Sequence, residues 1–229
     1  MTESPLLITG GLLLTMNETR EIIPDGAVVV DGERITSVGS ASNLPELPPE
    51  TRRIDARGRI VMPGLINAHT HLPMSLFRGL ADDVNLQDWL EKHIFPAEAE
   101  FITPENARIG TRLSVAEMLL GGTTTIADGY FEERHVYAAA SEMGVRGIMA
   151  QGVIDFPAPG VPDPADKLTV TRNFLNACAE SALLQPAVFA HSPYTCSAAT
   201  LQAAKELADE FGALYFIHTA ETEDEVHQV

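Results

Sequence analysis

The sequence predicts an α/β protein: five βα units around a parallel sheet, preceded by a layer of short β-strands. Up to residue 61 the β-rich apolar runs are short and separated by Asp-Gly and Pro punctuation, as in a small antiparallel sandwich or barrel. After Met62-Pro63-Gly64 apolar strands alternate with longer helical patterns, the signature of βα units. The chain has 229 residues, 45% of them hydrophobic, which is enough to bury a large core.

In the first region the strands are Leu6–Leu14, Ala27–Val30, Arg34–Val38 and Arg59–Val61, with Asp25-Gly26 and Asp31-Gly32 as hairpin turns and Pro45, Pro48 and Pro49 in a loop. In the second the strands are Gly64–Ala68, Thr123–Ala127, Val145–Gln151, Ala187–Ala190 and Leu214–Ile217. Helices fall at Leu86–His93, Pro104–Leu120, Glu132–Met143, Pro164–Ser181 and Ala198–Phe211. The helix at 104–120 has the fullest set of end signals: Thr103 as N-cap, Pro104 in first position, Glu105 in the first turn and Gly121 beyond the end.

Charge narrows the partners. Fifteen Lys+Arg against 32 Asp+Glu leave a formal net charge of −17, with no basic cluster, which argues against nucleic acid or an anionic membrane. A small neutral or cationic molecule suits this chain better. Cys178 and Cys196 form no Cys-x-x-Cys pair, so neither a disulfide framework nor a thiolate zinc knuckle is expected. The absence of a basic n-region before Gly10-Gly11 and of a long apolar run predicts neither signal peptide nor membrane span, and the expected location is cytoplasmic.

The chemistry concentrates in Gly64-Leu65-Ile66-Asn67-Ala68-His69-Thr70-His71. Residues two apart on a strand share a face, so His69 and His71 can aim both imidazoles at one point, a metal-ligand arrangement. His218 closes another apolar strand and is followed three residues later by Glu221. If both strands belong to one parallel barrel, their C-terminal ends meet at the same mouth.

With these residues in view, the sequence resembles the amidohydrolase superfamily, and within it the branch of 5-methylthioadenosine/S-adenosylhomocysteine deaminases and triazine hydrolases. The resemblance is carried by Val61 to His71, by Leu76-Phe77-Arg78-Gly79-Leu80-Ala81-Asp82-Asp83, by Gly121-Gly122-Thr123-Thr124-Thr125, by Ala190-His191-Ser192-Pro193-Tyr194 and by Ile217-His218-Thr219-Ala220-Glu221-Thr222. It implies a (β/α)8 TIM-type barrel. Residues 1–61 are then the N-terminal strands of a small β-sandwich, and residues 62–229 a partial metal-dependent hydrolase barrel holding the first five βα units.

The implied activity is hydrolytic deamination of an adenosine-type nucleoside (5-methylthioadenosine, S-adenosylhomocysteine or adenosine) to its inosine analogue and ammonia. The implied cofactor is one divalent ion, usually zinc and sometimes iron, on His69, His71 and His218. Glu221 would shuttle the proton and also contact substrate, Glu98 would contact the ribose hydroxyls and His191 the substrate. Trp89 and Phe77 are candidates to wall a purine pocket, and Lys167 is the cationic candidate in the loop after the third barrel strand, where closer relatives carry an arginine. Asp128 is either a supporting residue or a cap. His93, His135 and His227 are expected on helix surfaces, and the acidic run Glu221–Glu225 is read as a helix first turn in which only Glu221 has a chemical role.

The family site also uses a histidine after the sixth barrel strand and an aspartate after the eighth. The sequence is therefore expected to be the N-terminal part of an enzyme whose activity needs the remainder, and a homo-oligomer is compatible with it. Two alternatives stand: another amidohydrolase acting on a heteroaromatic ring, such as a guanine or cytosine deaminase or a triazine hydrolase, or a non-catalytic fragment that binds metal or a partner.

Overall fold

The computed structural model describes residues 4–178 and 181–228. Its contacts divide the chain into two units at Gly64.

In the first unit β1 (Leu6–Leu14) is central. It pairs antiparallel with β2 (Ile22–Asp31), which pairs antiparallel with β3 (Arg34–Ser40). On its other side β1 runs parallel to β4 (Arg52–Asp55) and β5 (Ile60–Val61). Leu7 faces Val29 in register, and with Ala27 they form a small core closed by Leu44 and Leu47 from the Pro-rich loop. The expected turn at Asp25-Gly26 is corrected: both residues lie inside β2, beside register shifts in the β1 pairing. A Cβ on Gly26 would sit 2.3 Å from that of Leu13, so glycine is there for close strand approach. The reversal is made instead by Thr15–Glu21, where Thr15 donates backbone N–H and hydroxyl to the Glu21 carbonyl and Met16 and Arg20 take positive φ. Strand β4 was not expected because Arg-Arg-Ile-Asp is exposed throughout and carries no apolar alternation.

The second unit holds the predicted five-stranded parallel sheet, in the order β10-β9-β8-β7-β6. Its strands are β6 (Leu65–Thr70), β7 (Thr123–Tyr130), β8 (Arg146–Val153), β9 (Leu184–Ala190) and β10 (Tyr215–Ile217). Along β9, Val188 and Ala190 join the main core with Met149, Val136, Phe174 and Leu207, while Ala187 and Phe189 cluster with Ala150 on the other face. Apolar side chains on both faces are what a covered parallel sheet requires. Ile66, on edge strand β6, is 71% exposed.

The helices are α1 (Leu86–Trp89), α2 (Phe95–Phe101), α3 (Pro104–Leu120), α4 (Glu133–Met143), α5 (Lys167–Ala177), α6 (Ala198–Phe211) and α7 (Glu223–Gln228). Helix α3 has the predicted bounds, with the Thr103 hydroxyl accepting from Asn106 N–H at 3.2 Å. The helix expected at 86–93 continues through a π-helical turn at Leu90–Ile94 into α2. The helix expected at 164–181 opens as a 3-10 turn over Pro164–Asp166 and is α-helical to Ala177; its predicted positions Ala179 and Glu180 lie outside the described residues. Among the described residues, no helix is long and apolar enough to cross a membrane.

Candidate functional site

Parallel register brings the C-terminal ends of β6 to β10 to one edge. Thr70 pairs with Asp128, Tyr130 with Gln151, Val153 with Ala190 and Ala190 with Ile217. The ladder runs one step past the strands, since His218 N–H donates to the His191 carbonyl and His191 N–H to that of Val153, each at 3.0 Å. Histidines far apart in sequence thus arrive side by side.

Nε2 of His69 lies 3.2 Å from Nε2 of His71 and 3.2 Å from Nε2 of His218, and the candidate ligand atoms of all three residues fall within 4.8 Å of one another. Nδ1 of His71 donates to the Gly129 carbonyl at 2.6 Å, which leaves its Nε2 as a lone-pair donor. Burial drives the His71 imidazole down to about 4, against that hydrogen bond, and burial also lowers His218. Neutral imidazoles with converging lone pairs repel one another unless a cation or protons lie between them. Zinc–nitrogen bonds of about 2.0–2.1 Å in a tetrahedron would hold nitrogens roughly 3.3 Å apart, so the trio fits a divalent ion.

Asp128 supports this cluster. It is wholly buried, and its Oδ1 accepts from the Thr70 hydroxyl and from Leu72 N–H, both at 2.7 Å, holding a side chain on one side of His71 and the backbone on the other. Burial pushes its carboxyl up to about 7, against those two hydrogen bonds. Of the two roles left open for Asp128, the structure places it as a support for the histidine strand. A Cβ on Gly129 would lie 2.9 Å from the Phe189 ring, so glycine lets the carbonyl that receives His71 pack against β9.

The trio opens into a cleft of about 220 Å³ that also takes in Trp89, Glu98, His191 and Glu221. Glu98 is only 5% exposed and its Oε1 accepts from the Tyr130 hydroxyl at 2.6 Å, so it is not a solvated helix-end charge. Burial raises its carboxyl to about 7, with the Tyr130 hydrogen bond opposing. Burial also brings His191 down to about 3, and its Nδ1 meets the Thr195 hydroxyl at 2.9 Å. Glu221 is exposed, and its Oε2 accepts from Tyr194 at 2.6 Å.

Some sequence candidates are placed elsewhere. Phe77 is not among the described lining residues, whereas Trp89 is. Lys167 pairs with Asp155 at 3.1 Å and donates to the Pro164 carbonyl, away from the cleft wall. His135 and His227 stand beside Glu132 and Glu223 on their helices, and His93 is half-buried on the π turn. Glu225 is more than a first-turn charge, being 4% exposed with both oxygens engaged by backbone N–H groups. Sequence reasoning missed Tyr130 and gave no separate role to Tyr194; the signal was a tyrosine at the C-terminal end of β7 for the first and in the loop just after β9 for the second.

Residues 60–229 match the amidohydrolase family. A 5-methylthioadenosine/S-adenosylhomocysteine deaminase from Thermodesulfovibrio yellowstonii is 40% identical over 228 residues, covering 97% of this chain and 51% of the relative. Its namesake from Symbiobacterium thermophilum is 41% identical over 225 residues, again 97% of this chain and 51% of the relative. The chain spans about half the length of the curated relatives it matches. Among solved structures, an adenosine deaminase from Xanthomonas campestris with bound zinc superposes with a TM-score of 0.86 at 33% identity, over 97% of this chain and 51% of that one. An E. coli guanine deaminase superposes with a TM-score of 0.82 at 22% identity, over 97% of this chain and 55% of that one, a likeness of fold alone. The family match takes in all five parallel strands and every cleft residue named above, and on it the chain belongs to the amidohydrolase family.

Proposed function

We propose that this chain carries the metal-binding and proton-transfer half of a hydrolytic deaminase acting on an adenosine-type nucleoside. The observation that carries the reading is the convergence of three imidazoles, Glu221 and Glu98 on one cleft at the C-terminal edge of a parallel sheet. His69, His71 and His218 would hold one divalent ion, and we name zinc. The chemistry such an ion supplies when bound is the acidification of water, so that hydroxide is available near neutral pH.

Every other role belongs to side chains. Water adds at the purine carbon that bears the amino group, and Glu221 delivers a proton to the adjacent ring nitrogen. The amine then leaves as ammonia with a proton returned through the same carboxyl, so one water is consumed for each ammonia released. His191, held neutral by burial, can accept a hydrogen bond from the substrate or donate one to it. Glu98 offers Oε2 to the vicinal diol of ribose while Tyr130 holds Oε1. The reading includes a cytoplasmic location, which suits two buried free cysteines.

A chamber of about 610 Å³ adjoins the cleft and shares Leu86, Leu90, Phe95 and Tyr194 with it. Its described charged residues are Glu91, Asp224 and Glu225, all acidic. The amino-acid group on the 5′ substituent of S-adenosylhomocysteine carries an ammonium and a carboxylate, and its carboxylate would find no cationic partner among these residues, a cost that a methylthio group does not meet. The full-length, metal-replete enzyme, assayed by ammonia release, is expected to act on methylthioadenosine with a kcat/KM at least about tenfold above that for S-adenosylhomocysteine. Turnover of guanine with none of either nucleoside or of adenosine would move the assignment to another amidohydrolase reaction.

Glu98 gives the nucleoside reading a pH signature. Its carboxyl titrates near 7, so the proton is held below that pH and the diol-accepting carboxylate forms above it. KM is expected to fall roughly tenfold between about pH 6 and about pH 8, the change in carboxylate fraction of a group titrating midway. Glu98→Gln should raise KM and flatten that dependence; a KM profile identical to the parent's would remove Glu98 from the ribose site.

A further inference from the structure

Glu221 stands on the loop between β10 and α7 with its side chain open to solvent. A carboxylate that delivers a proton to a ring nitrogen has to hold its place within about 0.5 Å. An exposed glutamate, free to change rotamer, does not do so unaided. Two contacts from different parts of the chain restrain it.

The first comes from the loop after β9. Tyr194 donates its phenolic proton to Oε2 of Glu221 at 2.6 Å, and its ring stands edge-on to that of His191, with centroids 6.2 Å apart. With Oε2 so engaged, Oε1 is the oxygen left to exchange a proton with substrate. The second comes from α7. The buried Glu225 carboxylate accepts from Ala220 N–H at 3.0 Å through Oε1 and from Glu221 N–H at 2.8 Å through Oε2. Glu225 is itself fixed by its own N–H, which donates to the Thr222 hydroxyl at 3.1 Å. Thr222-x-x-Glu225 has the capping-box spacing, but here the glutamate reaches past the capping residue to the two N–H groups before it. Ala220 has φ +58°, a left-handed conformation that a non-glycine residue keeps only where its surroundings enforce it. Glu225 supplies that enforcement.

We infer that Tyr194 and Glu225 are positioning residues for Glu221, one clamping its carboxylate and the other the backbone that presents it. This rests on the reading of Glu221 as the proton shuttle. The pair links the loop after β9, which carries His191, to the loop after β10, which carries Glu221, so the seat for substrate and the proton donor are set relative to each other.

The test uses the full-length, metal-loaded enzyme. Tyr194→Phe is expected to lower kcat about 10- to 100-fold with metal content unchanged and KM within about threefold. In a Glu221→Asp background, where the shorter carboxylate no longer reaches the phenol, the same change should cost less than about threefold. Equal costs in the two backgrounds, or parent-like kcat in Tyr194→Phe, would overturn the Tyr194 assignment. So would a Tyr194 phenol carbon resonance that does not move on Glu221→Ala, which is decided whether or not the protein turns over. Glu225→Ala should speed hydrogen exchange at the Ala220 and Glu221 amides at least about tenfold while α6 amides keep their protection. Unchanged exchange there overturns the Glu225 assignment. A full-length, metal-replete parent enzyme inactive on every nucleoside would instead defeat the functional reading, and the resonance and exchange measurements keep the two failures apart.

Discussion

In the full-length enzyme, Glu221→Gln is expected to leave metal content and KM near the parent's and to lower kcat by about 10²–10⁴, the range of general acid–base catalysis by one positioned group. The substitution isolates the proton. Glutamine keeps the length of the side chain and a carbonyl oxygen to accept from Tyr194, so the 2.6 Å contact has a substitute. What it removes is the ability to carry a proton to the ring nitrogen and to return one to the departing amine. The three imidazoles are untouched, so metal analysis and ammonia release should separate cleanly. Glu223, a fully solvated neighbour on α7, provides the control: Glu223→Gln should keep parental kcat. A Glu221→Gln protein within about tenfold of the parent would move the proton-transfer role to another group on the cleft, with His191 the first to examine.

The sequence revealed the parts of this site that depend on local pattern and concealed those that depend on who packs against whom. The parallel strands were legible because each is an apolar run between polar or glycine boundaries, and α3 because its cap, first-position proline and terminal glycine agree. His69 and His71 were legible because strand geometry alone puts alternate residues on one face. The helical stretch from Leu86 to Phe101 runs past the expected end at His93 and takes in Pro96. The π turn lets Phe95 N–H bond the Leu90 carbonyl, five residues back, and the proline then falls in the first turn of α2, where no donor is missed. Whether Glu98 is a solvated charge or a buried acceptor could not be read locally, since its burial and its Tyr130 partner come from β7, 32 residues on. Asp128 was ambiguous for the same reason: its partners Thr70 and Leu72 flank a histidine that lies more than 50 residues earlier. Asp25-Gly26 shows the reverse error, a strong turn dipeptide overruled by the close approach of β1.

His218→Ala is expected to weaken metal binding by more than about 100-fold, beyond what loss of an outer-shell partner usually costs. His218 is the ligand that only the folded sheet can supply, 149 residues from His69, with its Nδ1 buried and without a hydrogen-bond partner among the described residues. Without it the site keeps two imidazoles from alternate positions at one strand end, which an unfolded chain could offer almost as well. That difference makes stability the sharper readout. An ion that binds the folded protein alone stabilises it by about 2.7 kcal/mol at a hundred times its Kd, and the gain disappears when the folded site is no better a ligand than the unfolded chain. Parent protein should therefore show a melting temperature that rises with added zinc and falls on chelation, and His218→Ala should show neither response. Asp128→Asn, which keeps one oxygen to accept from Thr70 and Leu72 while removing the charge, should retain most of the zinc-dependent rise. If His218→Ala still gained as much from zinc as the parent, the ion would have to sit elsewhere, and the convergence of His69, His71 and His218 would be a packing arrangement of neutral rings.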